Sequence, residues 1–400
     1  SKVWLLRTLV WVLVLFWLCG RLVGRRMKPL ASPIRTLTIA LAIVLILATL
    51  LSTNRYIAVH GSLDRAAGLL SQLSYLLLFA CVATQIEPHG SRRLLHVMVW
   101  TALPICLLGL AQASGWQPLP VFTDARSSMT TTLGRANFTG AYVGLLRPLT
   151  LAATLVATKP WTRGAYAVLV VLESVVLVLT QARAAWIAGL VGVVLFMWLL
   201  AAPLWPRRAR WLSALGGSVG LGSLLLVVLR HGISSGGSIA ARWTIWQASL
   251  PLLWQRIWLG YGADTLALQF PSVYPPELVY YQGRDVVVDR AHNWLLDWSL
   301  SYGLVATFML IGLVVLILRH GWLQLAVSAD ARAPSLTDLP LARHCLAACI
   351  AAICVQLVGN LFLFEVAATA VVFWMLLAIV AATAVSFTEP RPLLLLSLIH

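Results

Sequence analysis

The chain has 400 residues, of which 60% are hydrophobic and only 10% are charged. A soluble domain carries about 25% charged residues, so this composition excludes a soluble globular protein and indicates a chain that crosses a membrane several times. Lysine and arginine outnumber aspartate and glutamate by 29 to 13. Positively charged cytoplasmic loops explain part of that excess, and the remainder predicts an anionic phosphate partner rather than nucleic acid.

Eleven apolar runs are each long enough to cross about 30 Å of hydrocarbon as a helix. They lie near residues 3–19, 34–52, 66–84, 94–113, 138–157, 165–181, 184–202, 211–229, 293–318, 344–363 and 367–387. We therefore predict an all-α fold, a polytopic membrane bundle of about 11–12 transmembrane helices. Basic residues follow the first run rather than precede it, so we do not expect a cleavable signal peptide. Those same basic residues place the end of the first run in the cytoplasm by the positive-inside rule, so the run starts outside. We therefore expect one further helix upstream.

The connections between these runs carry unequal numbers of basic residues. One alternating set holds 16 of them, whereas the other holds 8 once the longest connection is set aside. The positive-inside rule places the first set in the cytoplasm. The sequence thus predicts an N-terminal bundle of eight spans at 1–229, a periplasmic loop domain at 230–291, and three C-terminal spans at 292–400.

Arginines on the outward side oppose this topology signal, so each needs another reason to be there. Arg135 precedes the fifth span, and Arg242 and Arg290 lie in the long loop. Contact with lipid headgroups is an alternative explanation for most of them. That alternative is weaker for Arg183, which lies in a tight turn between the sixth and seventh spans, where no loop can solvate it.

Two charges are predicted inside the membrane. Arg147 lies about nine residues into the fifth span, and Glu173 lies about eight residues before the outer end of the sixth span. An unpaired charge at this depth is costly, which predicts a structural ion pair between these adjacent antiparallel helices. The alternative is that Arg147 points into a polar cavity.

The loop at 230–291 opens with an amphipathic pattern. Ser238 is a suitable N-cap, and apolar residues then recur at helical spacings of three and four. Pro251 predicts a kink or a break in this helix. Its four tryptophans suit either a helix at the bilayer interface or one packed on the roof of the bundle. They are Trp243, Trp246, Trp254 and Trp258.

His292 is the residue with the clearest potential for catalysis. It precedes a long apolar helix and is flanked by Arg290 and Asn293. A histidine with a pKa near 6.5 can accept a proton at neutral pH, so His292 is a candidate general base. A capping or interfacial role is the alternative. The charges just before it form a mixed cluster that can be purely structural: Arg284, Asp285, Asp289 and Arg290.

Signatures of metal and cofactor binding are missing from the sequence. The six cysteines lie in or beside apolar runs. We find no Asp-x-Asp pair, no phosphate-binding Gly-Lys-Ser/Thr loop and no dinucleotide glycine motif. We therefore expect neither a metal nor a cofactor.

Four short segments together are similar to the O-antigen ligase and polymerase family of integral membrane glycosyltransferases. They are Leu133-Gly-Arg-Ala-Asn137, Gln181-Ala-Arg-Ala-Ala-Trp186, Arg242-Trp243 with Trp258-Leu-Gly-Tyr-Gly262, and Ala291-His-Asn293 with Gly303. The resemblance covers about residues 50–310 and includes the single long external loop. Phe138 follows the first segment, where many members of the family have a proline.

That resemblance implies an all-helical enzyme of the GT-C type on the periplasmic side of the bacterial inner membrane. Such an enzyme transfers a glycan from undecaprenyl diphosphate to an acceptor hydroxyl, with inversion and without a metal. The essential arginines of the family would correspond to Arg183 and Arg242, and its catalytic histidine to His292. We expect further residues to bind the diphosphate or the glycan: Arg135, Arg290, Asn137 and Asn293.

The acceptor stays open at this point. Lipid A core is favoured, because a single long loop joins the eighth and ninth spans. Another lipid-linked glycan would make the chain a polymerase, and a protein side chain would make it a protein O-oligosaccharyltransferase. A membrane transporter or flippase is the alternative of another class, which predicts charges along a path to both faces. The unexplained polar residues gather instead in the outer third of the bundle, which favours chemistry at one surface.

Overall fold

The computed structural model of the chain describes residues 2–24, 29–118, 129–202, 205–234, 237–284, 286–327 and 341–383. Within these ranges every regular element is a helix. The helices are α1 (Lys2–Leu22), α2 (Ser32–Leu50), α3 (Arg55–His60), α4 (Leu69–Gln85), α5 (Pro88–Ala113), α6 (Ala136–Val156), α7 (Pro160–Leu179), α8 (Arg183–Ala201), α9 (Arg207–Ser234), α10 (Ser238–Gln255), α11 (Leu266–Gln269), α12 (Leu278–Gln282), α13 (Trp294–Val327), α14 (Leu341–Asn360) and α15 (Ala367–Thr383). Asp285, a member of the predicted charged cluster, lies outside the described residues.

Each of the eleven predicted spans coincides with one long helix. By length and apolar composition, eight of the described helices can cross a membrane, and α4 and α15 are shorter apolar helices. Helix α9, which contains the predicted eighth span, is not among these ten. It ends at Ser234, so the predicted domain boundary at residue 230 falls inside it. The predicted all-α polytopic bundle is confirmed.

The centre of the bundle is formed by α6, α8 and α14, which pack closely through small residues. Ala347, Ala351 and Ala352 on α14 are completely buried. On α8, a Cβ added to Gly192 would lie 2.1 Å from Cγ2 of Val355 on α14. Glycine is therefore needed at this position for the two helices to approach each other so closely. The middle of the bundle is thus filled with apolar side chains.

Helix α10 is the amphipathic helix predicted at the start of the long loop. Its N-cap is Gly237, with a φ of 85°, rather than Ser238, and the helix continues through Pro251 without a break. Ile245 on one face is buried, whereas Trp254 is 69% exposed. One face of the helix therefore packs on the protein, and the location of the exposed tryptophans at the bilayer interface stays a prediction.

Helix α13 changes direction at Gly303, whose φ of 79° is far from helical values. At this bend the chain that follows α10 packs against α13, and the backbone N–H of Tyr261 donates to the carbonyl of Leu300 at 2.8 Å. A Cβ at Gly303 would lie 2.0 Å from the carbonyl oxygen of Trp258. Glycine at this position therefore lets the long loop pack directly on the first turns of α13.

We expect Gly303→Ala to destabilise the protein by about 3 kcal/mol, because the added methyl group meets backbone atoms at a φ that alanine rarely adopts. The midpoint of thermal unfolding in detergent measures this effect. Gly312→Ala on the same helix is the matched control, since its Cβ would lie 3.5 Å from Cδ2 of Leu37, an ordinary contact. Equal midpoints for the two variants would contradict the close approach.

Candidate active site

One end of the bundle holds a cavity of about 950 Å³. Its walls come from the first residues of α6, α8 and α10, from the segment before α13, and from the connections that follow α3 and α14. Asn137 contributes to the lining, and the titratable residues that line the cavity are Arg65, Arg135, Arg183, Arg242, Asp289, Arg290 and His292. Residues that the sequence singled out in separate segments therefore meet at one place.

Arg183 is the first residue of α8 and lines this cavity. The turn before it is tight, because Gln181 adopts a φ of 53°. The indole Nε1 of Trp186 donates to the carbonyl of Leu177 at 2.6 Å, which fixes the start of α8 to the end of α7. The Gln-Ala-Arg-Ala-Ala-Trp segment thus folds as a tight turn followed by the first turn of α8, and it holds the guanidinium of Arg183 at the cavity wall.

Arg242 reaches the cavity from the first turns of α10 and is half-buried. Burial lowers the pKa of its guanidinium, but arginine stays charged because its ordinary pKa exceeds 12. Within the described ranges, no carboxylate forms a salt bridge with Arg183 or Arg242. The positive charges of both residues are therefore available to an anionic ligand.

Two other arginines of the cavity are held by carboxylates. Nε of Arg65 donates to Oδ2 of Asp289 at 2.8 Å. Burial acts to raise the pKa of Asp289, but the hydrogen bond and charge of Arg65, together with the charge of Arg290, lower the pKa overall. Arg290 forms a salt bridge with Asp264, whose Oδ2 also accepts a hydrogen bond from the backbone N–H of Ala67 at 2.9 Å. The connection that carries Arg65 is thereby tied to the one that carries Arg290.

Phe364, in the connection between α14 and α15, lies under three of these side chains. The guanidinium carbon of Arg65 is 4.5 Å from the centre of its ring, and that of Arg290 is 6.0 Å away. The ring of His292 is 5.2 Å from it, centre to centre. Cation–π attraction and ring packing on this one aromatic side chain fix the relative positions of two cations and the imidazole.

The backbone at His292 is strained. Its φ is 58°, a region that costs a residue other than glycine about 1–3 kcal/mol. The preceding residue is held by two hydrogen bonds, because the N–H of Ala291 donates to Oδ1 of Asp297 at 2.7 Å and its carbonyl accepts from Nε1 of Trp246 at 2.8 Å. Such imposed strain is a frequent property of functional sites.

The imidazole of His292 is electrically neutral at pH 7. Burial, followed by the positive charge of Arg242, lowers its pKa to about 4. Neutral imidazole can accept a proton, as a general base must. Nδ1 is buried and has no hydrogen-bond partner among the described residues, which leaves Nε2 as the nitrogen that can meet a substrate.

The two predicted asparagines lie in different settings. Asn137 is in the first turn of α6 and lines the cavity. Asn293 caps α13 instead, because its Oδ1 accepts from the backbone N–H of Leu296 at 3.1 Å and its Nδ2 donates to the carbonyl of Leu361 at 3.2 Å. These two bonds therefore fix the position of Asn293, the residue that follows His292.

Arg147 and Glu173, the predicted intramembrane pair, do not form a salt bridge in the described part of the chain. Oε1 of Glu173 accepts a hydrogen bond from the hydroxyl of Thr150 at 2.7 Å instead. Thr150 lies three residues after Arg147 on α6, so it presents a neutral donor to α7 from almost the same face. The two charges still influence each other electrostatically, but the expected direct contact is absent.

Four residues that shape the cavity were not assigned to the site from the sequence. Arg65 is one of many basic residues in the connections between spans and has no motif around it, and Asp289 was named only as a member of a mixed charged cluster. Asp264 and Phe364 carry no local signal, because their roles arise from contacts between distant connections. Among the described residues, no group of three or more His, Cys, Asp or Glu side chains could hold a metal ion.

The fold and this cavity show what class of protein this is. It is a polytopic helical membrane protein with an arginine-rich site beside a neutral histidine at one end of the bundle. The sequence model of a family described as O-antigen ligase matches residues 140–311 of the chain. The resemblance predicted from the short motifs is thereby confirmed, and it implies activity of the O-antigen ligase or polymerase type in general terms. The search of curated proteins finds no match.

Proposed function

We propose that this chain is an inverting glycosyltransferase that moves a glycan from undecaprenyl diphosphate to an acceptor hydroxyl at the periplasmic face of the bacterial inner membrane. One observation carries the proposal, the meeting of arginines and a neutral histidine at a single cavity. A diphosphate needs cations, and an attacking hydroxyl needs a base. Both are available here at one end of the bundle.

The diphosphate is held chiefly by Arg183 and Arg242. Guanidinium groups bind phosphate oxygens through pairs of parallel hydrogen bonds, which are stronger than neutral ones. Both residues line the cavity without a carboxylate partner among the described residues, whereas Arg65 and Arg290 are partly neutralised by Asp289 and Asp264. Arg135 and Asn137, at the start of α6, complete the group that surrounds the donor.

The transfer step follows from this arrangement. Nε2 of His292 takes the proton of the acceptor hydroxyl while the oxygen of that hydroxyl attacks the anomeric carbon of the donor sugar. A new carbon–oxygen bond forms on one face, and the bond from the same carbon to the diphosphate breaks on the other, which inverts the anomeric configuration. The departing diphosphate gains negative charge, and the arginines stabilise it. The protonated imidazole then releases its proton to solvent.

Donor binding also strengthens the base. The positive charge of Arg242, with smaller contributions from Arg65 and Arg135, helps to lower the pKa of His292 in the free protein. A bound diphosphate offsets that positive potential and so raises the pKa of the imidazole. His292 is therefore a weak base without the donor and a stronger one beside it, which limits proton uptake to the loaded site.

The dependence of transfer on pH tests this coupling. Protonated His292 cannot act as a base, so kcat/KM for the donor should fall with acid only as the pH approaches about 4, the pKa in the free protein. The acid limb of kcat, which reports the donor-bound protein, should lie at higher pH. Initial rates from about pH 4 to pH 8 measure both limbs. An acid limb of kcat/KM near the ordinary histidine value of about 6.5 would contradict the low pKa.

Lipid A core is the acceptor that we propose, because a long connection between α9 and α13 borders the cavity and can shape a site for a bulky saccharide. A second lipid-linked glycan, for a polymerase, and a protein hydroxyl are the alternatives. Purified protein in liposomes, given an undecaprenyl-diphosphate-linked glycan with each acceptor in turn, distinguishes them. Formation of the lipid A core conjugate is expected, and no product with any acceptor would overturn the transferase proposal.

Transport is the other candidate class, and the arrangement of charges does not favour it. A transporter needs a polar path that reaches both faces in turn. Beyond the cavity, the described part of α14 is packed with buried alanine and isoleucine. The same liposomes, loaded with labelled lipid-linked glycan, provide a flipping assay as a parallel measurement.

A further inference from the structure

A second cavity, of about 390 Å³, lies at the opposite end of α6 from the candidate active site. Helix α6 starts at the active-site cavity with Ala136 and ends beside this second one with Val156. Its 21 residues span about 30 Å, so the two cavities are separated by roughly the thickness of a bilayer. Helices α5, α7 and α14 supply the remaining walls. We call this second cavity the basic groove.

The floor of the basic groove is apolar, and the charges lie at its edge. The apolar lining comes from α5, α6 and α14 and includes Leu95, Val99, Leu149, Ala152, Val156 and Ala348. Arg92, His96 and Lys159 lie around it, and all three are exposed. This combination suits an amphiphile, a molecule with a hydrocarbon part and an anionic head, better than a free ion or an apolar ligand.

The two strong cations of the groove have no carboxylate to pair with. Within the described residues, neither Arg92 nor Lys159 forms a salt bridge. Nδ1 of His96 is hydrogen-bonded to the hydroxyl of Tyr166 at 2.9 Å, which orients the imidazole at the edge of the groove. Trp161, 71% exposed, completes this edge with an aromatic ring of the kind that lies at headgroup level.

We propose that the basic groove binds an anionic phospholipid. Its phosphodiester contacts Arg92 and Lys159, and an acyl chain lies along the apolar floor between α5, α6 and α14. Basic pockets between transmembrane helices are known to hold anionic headgroups, and each cation near the headgroup contributes roughly 1 kcal/mol, a factor of about five in affinity. This site is separate from the active-site cavity and does not depend on the proposed transferase activity.

Lipid binding to the purified, delipidated protein tests the proposal. Native mass spectrometry with added dioleoyl phosphatidylglycerol gives the affinity, and dioleoyl phosphatidylcholine and inorganic phosphate are the comparison ligands. The test variant is Arg92→Gln/Lys159→Gln. The matched control is Arg93→Gln/Arg208→Gln, which removes the same charge from exposed residues that do not line the groove. Val156→Trp, which fills the apolar floor, tests the acyl-chain contact.

We expect phosphatidylglycerol to bind about 30-fold more weakly to the test variant than to the unchanged protein and with unchanged affinity to the control. Val156→Trp should also weaken binding. Equal weakening in the test and control variants would overturn the proposal, because it would mean a general attraction to positive charge. Equal binding of phosphatidylcholine, or competition by phosphate alone at similar concentration, would overturn it as well.

Discussion

Replacing His292 with alanine should lower the rate of glycan transfer by about 10³-fold, the typical contribution of a general base. The donor should still bind, because the cations that we assign to the diphosphate remain. The effect should therefore appear in kcat and leave KM for the donor nearly unchanged. Removal of a side chain held over Phe364 leaves room for solvent, so water provides only the small residual rate. Transfer in liposomes and donor binding to the same preparation measure the two quantities.

The matched control for this prediction is His96→Ala. His96, within helix α5, is likewise a histidine at the edge of a cavity, but that cavity is the basic groove at the opposite end of α6. Transfer by the control should match that of the unchanged protein. A rate for His292→Ala within a few-fold of the unchanged protein would refute the assignment of His292 as the base.

Replacing Arg183 or Arg242 with alanine should weaken donor binding and slow transfer together. Each charge-assisted contact with phosphate contributes about 1.5–3 kcal/mol, which corresponds to about 10- to 150-fold in affinity for each residue. The loss in kcat/KM should be larger, because the departing diphosphate carries more negative charge in the transition state than in the bound donor. Binding and transfer assays with one lipid-linked donor measure both losses.

Arg242 should also differ from Arg183 in one respect. Its positive charge helps to lower the pKa of His292, so Arg242→Gln should move the acid limb of kcat/KM to higher pH. Arg183 is not among the main causes of the lowered pKa, and Arg183→Gln should leave the limb in place. Arg208→Gln, far from the cavity, is the control for total charge. Donor affinity that is unaltered in both Arg183 and Arg242 variants would refute the diphosphate site.

The helices of this fold could be predicted almost completely from the sequence. Apolar runs of membrane-spanning length leave few alternatives to a helix, and all eleven are helical. Most of the arginines that line the cavity, and His292, could also be selected from the sequence. Outward arginines oppose a strong topology signal, and His292 precedes an apolar span. That they share one cavity was predicted only through the alternation of spans, which places the relevant helix ends on the same side.

What could not be predicted depends on rotation and on contacts between connections. Depth along a helix follows from residue count, so Arg147 and Glu173 were placed at similar depth. The rotation of each helix about its axis is set by packing, and it directs the hydroxyl of Thr150 at Glu173. Similarly, Arg290 forms a salt bridge with Asp264 and a cation–π contact with Phe364, and these residues are brought together only by the tertiary structure. No local sequence pattern predicts tertiary contacts of this kind.

A donor-bound structure of the His292→Ala variant tests the central claim most directly, because the inactive protein should retain an intact lipid-linked glycan. We expect cryo-electron microscopy to show the diphosphate within about 3 Å of the guanidinium groups of Arg183 and Arg242, with the anomeric carbon facing position 292. Diphosphate density outside the cavity, or an anomeric carbon directed away from position 292, would contradict the account.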